Sequence, residues 1–87
     1  MSGPEVTLLG RPGCHLCEEA MAVLEGLRSE LGSAAFELRT VDIEADDATF
    51  KAYLERIPVV ALDGQELYDF FVDREDLRRR LLRRPAS

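Results

Sequence analysis

The sequence predicts a small α/β domain: a four-stranded mixed sheet, element order βαβαββα, with helices on both faces. Three observations predict it. Residues 6–9 (Val6-Thr7-Leu8-Leu9) form a short apolar run, and from Leu16 the apolar positions step by three and four, so a strand gives way to a helix. The only two cysteines, Cys14 and Cys17, sit at that junction. Further on, Asp63-Gly64 separates two β-prone runs and marks a hairpin.

Each element follows in order. Residues 6–9 are a buried strand, and Gly10-Arg11-Pro12-Gly13 is the loop after it. Cys17, Ala20, Leu24, Leu27 and Leu31 share one face of an amphipathic helix, and Gly32 is its expected stop in the left-handed conformation. Residues 36–43 alternate Phe36, Leu38 and Thr40 against Glu37, Arg39 and Val41 and read as a second strand. Asp46 can cap a short helix reaching Tyr53 or Leu54. Residues 57–62 are a third strand with Pro58 at its start, and residues 66–71 a fourth beyond the hairpin. Asp73 caps the last helix, with Leu77 and Leu81 facing inward and Asp76 at its third position. A helix between the first two strands makes them parallel with a right-handed crossover, and the hairpin adds antiparallel strands.

Eighty-seven residues make one domain, taken as residues 1–87. The 46% apolar and 32% charged content is that of a globular chain and excludes disorder as the default. No basic, apolar leader and no membrane-length run is visible, so the expected setting is the cytoplasm. In that reducing compartment two cysteines suit catalysis or metal binding better than scaffolding.

The net charge of −6 disfavours nucleic acid and anionic membranes as partners. The charge is uneven. Residues 1–55 carry 4 basic and 11 acidic side chains (−7), and residues 56–87 carry 7 and 6 (+1). The basic run Arg78-Arg79-Arg80-Leu81-Leu82-Arg83-Arg84 is read as the C-terminal end of a helix, where cations complement the macrodipole.

The chemistry is carried by Cys14-His15-Leu16-Cys17. At a helix start, free N–H groups and the helix dipole can lower a thiol pKa from about 8.5 to roughly 3.5–7.5. Cys14 is therefore expected to be a thiolate nucleophile. Cys17, one turn on and on the apolar face, is expected to be the buried resolving thiol. A protonated His15 near Cys14 would tune the thiolate, or His15 is simply exposed with little effect. Glu18 and Glu19 oppose ionisation of Cys14 through like charge.

The motif Arg11-Pro12-Gly13-Cys14-His15-Leu16-Cys17-Glu18, followed by Val41-Asp42-Ile43, Arg56-Ile57-Pro58-Val59 and Leu62-Asp63-Gly64, resembles the glutaredoxin-like family of the thioredoxin superfamily. The resemblance spans residues 7–82. It implies a thioredoxin-like fold, a Cys14/Cys17 dithiol–disulfide cycle, and a cis peptide before Pro58 that exposes the backbone of Ile57 to substrate. It also implies that Arg11 pairs with a glutathione carboxylate. The glycine pair that usually opens the last helix is replaced by Phe70-Phe71-Val72-Asp73, which leaves only Asp73 to hold the far end of glutathione.

The resulting expectation is a thiol–disulfide oxidoreductase without a tightly bound cofactor or metal. Its substrate would be a disulfide-containing protein or a glutathione mixed disulfide. Glutathione, as co-substrate, or a reductase would supply electrons, and nothing demands more than a monomer. Two alternatives compete: a metal or iron–sulfur module formed by the cysteine pairs of a dimer, and a thioredoxin-fold interaction domain without turnover.

Overall fold

The computed structural model describes residues 3–83. Its elements are β1 (Glu5–Gly10), α1 (His15–Leu31), β2 (Glu37–Asp42), a 3-10 turn (Ile43–Ala45), α2 (Asp47–Tyr53), β3 (Val59–Leu62), β4 (Gln65–Asp69) and α3 (Arg74–Arg83). They form one sheet in the order β2-β1-β3-β4. β1 and β2 are parallel, whereas β3 runs antiparallel to both β1 and β4. The predicted α/β class, element order and mixed sheet are therefore those of the structure.

The main core lies on the face covered by α1 and α3. Val6 and Leu8 of β1 and Val60 and Leu62 of β3 meet Ala20, Leu24 and Leu27 of α1 and Leu77 of α3, with Phe36 closing the end. Each large apolar side chain buried here contributes about 1.5–3 kcal/mol, so this layer supplies most of the fold's stabilisation. Strand alternation turns Val59 and Ala61 to the opposite face, where both are also buried. There Tyr53 and Arg56, at and after the end of α2, hydrogen-bond Glu66 of β4, and Arg56 also holds Asp69.

The caps are local and match the sequence. Thr49 N–H donates to Asp46 at 3.0 Å, and Asp76 N–H donates to Asp73 at 3.0 Å. Asp63 (φ 51°) and Gly64 (φ 87°) make a two-residue β3–β4 turn with both central residues left-handed, the geometry that right-twisted hairpins favour. Four of the five arginines of α3 are committed within the molecule: Arg74 and Arg78 to Glu30 of α1, Arg79 and Arg80 to Asp76. Arg84 of the basic run lies outside the described residues.

Several boundaries shift for physical reasons. β1 continues through Gly10, assigned above to the loop, because Gly10 still pairs with Asp42. β2 is shorter than residues 36–43: Phe36 precedes it, and Ile43 starts the 3-10 turn, which Asp42 caps by accepting from Glu44 N–H. Within β2, Thr40 is exposed and Val41 half-buried, against the predicted alternation. β3 begins at Val59, not residue 57. β4 ends at Asp69, not residue 71, because the chain bends sharply at Phe70 (φ 69°). Gly32 ends α1 at φ 101°, ψ 147°, an extended glycine conformation and not the left-handed helical one expected. No helix among the described residues is long and apolar enough to cross a membrane.

Candidate functional site

Cys14 is the N-cap of α1. Its backbone is extended (φ −90°, ψ 111°), and its carbonyl accepts the first helical hydrogen bond, from Glu18 N–H at 3.1 Å. Its Sγ accepts from the backbone N–H of Cys17 at 3.2 Å. A sulfur thus stands where a Ser or Asp oxygen usually caps, among the unpaired donors at the positive end of the helix. Cys14 and Cys17 form a disulfide, with Cα atoms 5.2 Å apart. The two sulfurs differ in access: Cys14 is half-buried, whereas Cys17 is 7% exposed on the face continued by Ala20 and Leu24.

Close backbone approach makes this burial feasible. A Cβ added at Gly10 would lie 2.9 Å from Cys17 Sγ and 3.1 Å from Cys17 Cβ. Gly10 therefore serves as the floor on which Cys17 rests. Its sequence signal was present, a glycine at the end of a strand, but it was read as the start of a loop.

Two unlike surfaces adjoin the cysteine-bearing start of α1. On the first, Arg11, Pro12, Cys17, Glu18, Met21 and Thr40 help to line an open groove of ≈ 270 Å³ between α1 and β2. Arg11 pairs with Glu44 at 2.8 Å and lies over the Phe50 ring, its guanidinium carbon 5.6 Å from the ring centre. Neither partner was singled out from the sequence, since only the fold carries the 3-10 turn and α2 to this end of the sheet.

On the second flank, Leu16, between the two cysteines, joins Glu19, Val23, Phe70, Phe71 and Val72 around a crevice of ≈ 90 Å³. Phe70 is 43% and Phe71 69% exposed. Phe71 N–H donates to the carbonyl of Asp69 at 2.7 Å, so Phe70 is the centre of a three-residue turn with positive φ, a rare and strained conformation for a side chain of this size.

The Ile57–Pro58 peptide bond is cis, the isomer expected from the sequence. Pro58 is fully buried, Ile57 half-buried, and the Pro58 carbonyl accepts from Phe70 N–H at 2.7 Å. Pro58 precedes a central strand, not an edge strand. Arg56 clamps the same junction: it donates to Glu66 at 2.6 Å and to both oxygens of Asp69 at 3.2 Å. The hydrogen bonds to Asp69 and then to Glu66 hold the Arg56 guanidinium above its ordinary range. The Glu66 carboxyl is lowered, first by the Tyr53 hydroxyl and then by Arg56.

The remaining predicted residues, His15 and Asp73, engage neighbours other than the sulfurs. His15 is the first residue of α1, its side chain 81% exposed, and its Nε2 lies 2.8 Å from Glu19 Oε2. Its ionic partner is thus Glu19. Asp73 uses a carboxylate oxygen to cap α3. Among the described residues no group of three or more His, Cys, Asp or Glu converges as metal ligands.

Comparison with known proteins agrees with this geometry. The model of a glutaredoxin-like domain (DUF836) matches residues 5–82. An uncharacterized protein of Mycobacterium tuberculosis is 40% identical over 83 residues, which cover 90% of this chain and 82% of the relative. An X-ray structure of an X. campestris protein superposes with a TM-score of 0.69 at 36% identity, covering 92% of this chain and 99% of that one. A thioredoxin variant from Halobacterium salinarum shares the fold, with a TM-score of 0.63 at 19% identity over 92% of this chain and 73% of its own.

Proposed function

The chain belongs to the glutaredoxin-like domain family DUF836, and on that footing we propose that it is a thiol–disulfide oxidoreductase acting through Cys14 and Cys17. One observation carries the reading: a disulfide whose half-buried sulfur caps a helix and whose other sulfur is buried one turn on.

In the reduced protein the Cys17 N–H and the helix dipole face the Cys14 sulfur and favour its thiolate. The thiolate attacks one sulfur of a substrate disulfide. A Cys14–substrate mixed disulfide forms, and the other substrate sulfur leaves as a thiolate that takes a proton from water. Cys17 then loses its proton, attacks Cys14 Sγ and closes the internal disulfide, and the second substrate thiol departs. The substrate has gained two electrons and the protein has lost two. A thiol reductant, glutathione or a dithiol reductase, restores the starting state.

In this reading Ile57 and Pro58 would border the attack site, and the Ile57 backbone would pair with an extended substrate. Arg11 would meet a substrate carboxylate by exchanging it for Glu44. Asp73 can offer its remaining oxygen to a substrate amine. His15 would adjust the Cys14 thiolate modestly, since its imidazole is shared with Glu19. The proposed substrate is a protein disulfide or a glutathione mixed disulfide, handled by a monomer in the cytoplasm.

The test is mixed-disulfide trapping. Cys14→Ser should lose all exchange with a model disulfide. Cys17→Ser should complete the first step and accumulate a protein–substrate adduct visible by mass spectrometry. Adduct formation at Cys17 in the Cys14→Ser variant, at the wild-type rate, would reverse the assigned roles.

A further inference from the structure

We infer that the second flank is a docking surface for a polypeptide substrate: a segment whose reacting cysteine neighbours an aliphatic side chain and a Lys or Arg. This inference rests on the oxidoreductase reading and names its substrate class. Phe70 and Phe71 share a crevice with Leu16, the residue between Cys14 and Cys17, so a polypeptide bonded to Cys14 has this surface within reach. The crevice between them, ≈ 90 Å³, is smaller than the roughly 150 Å³ apolar cavity that holds a benzene ring. It therefore suits an aliphatic side chain better than an aromatic one.

Backbone geometry shows that the aromatic pair is not incidental. Phe70 holds φ 69°, which glycine adopts freely and phenylalanine only with strain. The side chain is 43% exposed, so core packing is a small return for that strain. A strained, exposed aromatic beside a reactive group points to use of its surface.

Charge selects the rest of the partner. The arginines on the segments around the site are already neutralised: Arg11 by Glu44 at 2.8 Å, Arg56 by Glu66 at 2.6 Å, and Arg74 by Glu30 at 2.8 Å. Glu19, by contrast, lines the crevice itself and among the described residues forms an ion pair with His15 and with no arginine. Asp73 faces a backbone N–H and not a cation. An incoming cation finds carboxylates in place, whereas the carboxylates of glutathione must displace an existing ion pair or meet like charge.

Single-turnover reduction by the pre-reduced protein tests this. Four disulfides are compared: a peptide disulfide with valine and lysine beside the cysteine, its twin with serine and glutamate, glutathione disulfide, and the small neutral 2-hydroxyethyl disulfide. The valine–lysine peptide should react at least about tenfold faster than its twin and than glutathione disulfide, the factor expected from about 1.4 kcal/mol of apolar contact and charge. Phe71→Ser should remove most of that preference with the 2-hydroxyethyl disulfide rate unchanged, and Glu19→Gln should remove the lysine part of it, read as the ratio of the two peptide rates. Equal rates for the two peptides, or a Phe71→Ser loss shared by 2-hydroxyethyl disulfide, would overturn the docking surface alone. No reaction of the wild type with any of the four would instead overturn the oxidoreductase reading, and the docking surface with it.

Discussion

The two flanks of the Cys14–Cys17 disulfide are built on opposite principles. The Arg11 flank is relaxed: an apolar groove beside an ion pair, a ring under the guanidinium, and a glycine that lets Cys17 settle against β1. The Phe70–Phe71 flank is apolar, exposed and strained, and the hydrogen bond from Phe70 to Pro58 ties it to the cis-peptide loop. The difference teaches that conformational cost is concentrated on one side of this site. Residues on the first flank hold the cysteines in place. Residues on the second are maintained at a conformational cost and present apolar surface.

The sharpest way to break this comparison is Gly10→Ala. The added methyl must displace Cys17 or β1, so a loss of about 1–3 kcal/mol is expected in urea unfolding of the oxidised protein. An unchanged midpoint would mean that Cys17 does not depend on that close approach.

Phe70→Gly should cost less, under about 1 kcal/mol, because relief of the positive φ offsets the lost side-chain contact. A loss of about 3 kcal/mol or more, as for a core phenylalanine, would return Phe70 to the scaffold.

The smallest effect is one of pH. The Tyr68 and Arg80 hydrogen bonds keep the Asp76 carboxyl below its ordinary 3.8, and Arg78 and Arg74 keep Glu30 below 4.5. Groups lowered in the folded state contribute stability that is present above their ordinary values and is lost as pH falls through the lowered ones. Both anchor α3, which follows the aromatic flank. Amide exchange in α3 should therefore accelerate, relative to β1 and β3, as pH falls from 5 toward 2, after correction for the intrinsic pH dependence of exchange. Uniform acceleration across the sheet and α3 would sink this assignment. On the alkaline side, burial and then the Asp76 hydrogen bond raise the Tyr68 hydroxyl, so Tyr68 remains neutral beyond the ordinary tyrosine range.

What could be read along the chain was whatever depends on neighbouring residues. The strand-to-helix switch at Cys14, the Asp46 and Asp73 caps and the Asp63-Gly64 turn are each decided by residues within a few positions of one another, and the structure has them all. The burial of Cys17 was legible from helical period alone. Phe70 and Phe71 were read as the end of a strand because aromatic residues favour one. Only the pairing of β4 with β3, and the turn beyond it, placed them beside Leu16.

By itself, then, the sequence determined the α/β order and the unequal settings of Cys14 and Cys17, one at a helix start and one on its buried face, since both follow from local period and position. Tertiary structure alone decided that Glu44 neutralises Arg11, that Gly10 supports Cys17, and that Phe70 and Phe71 stand beside Leu16. Those contacts join residues from 7 to 55 positions apart, and no local pattern encodes which distant side chain will fill a given space.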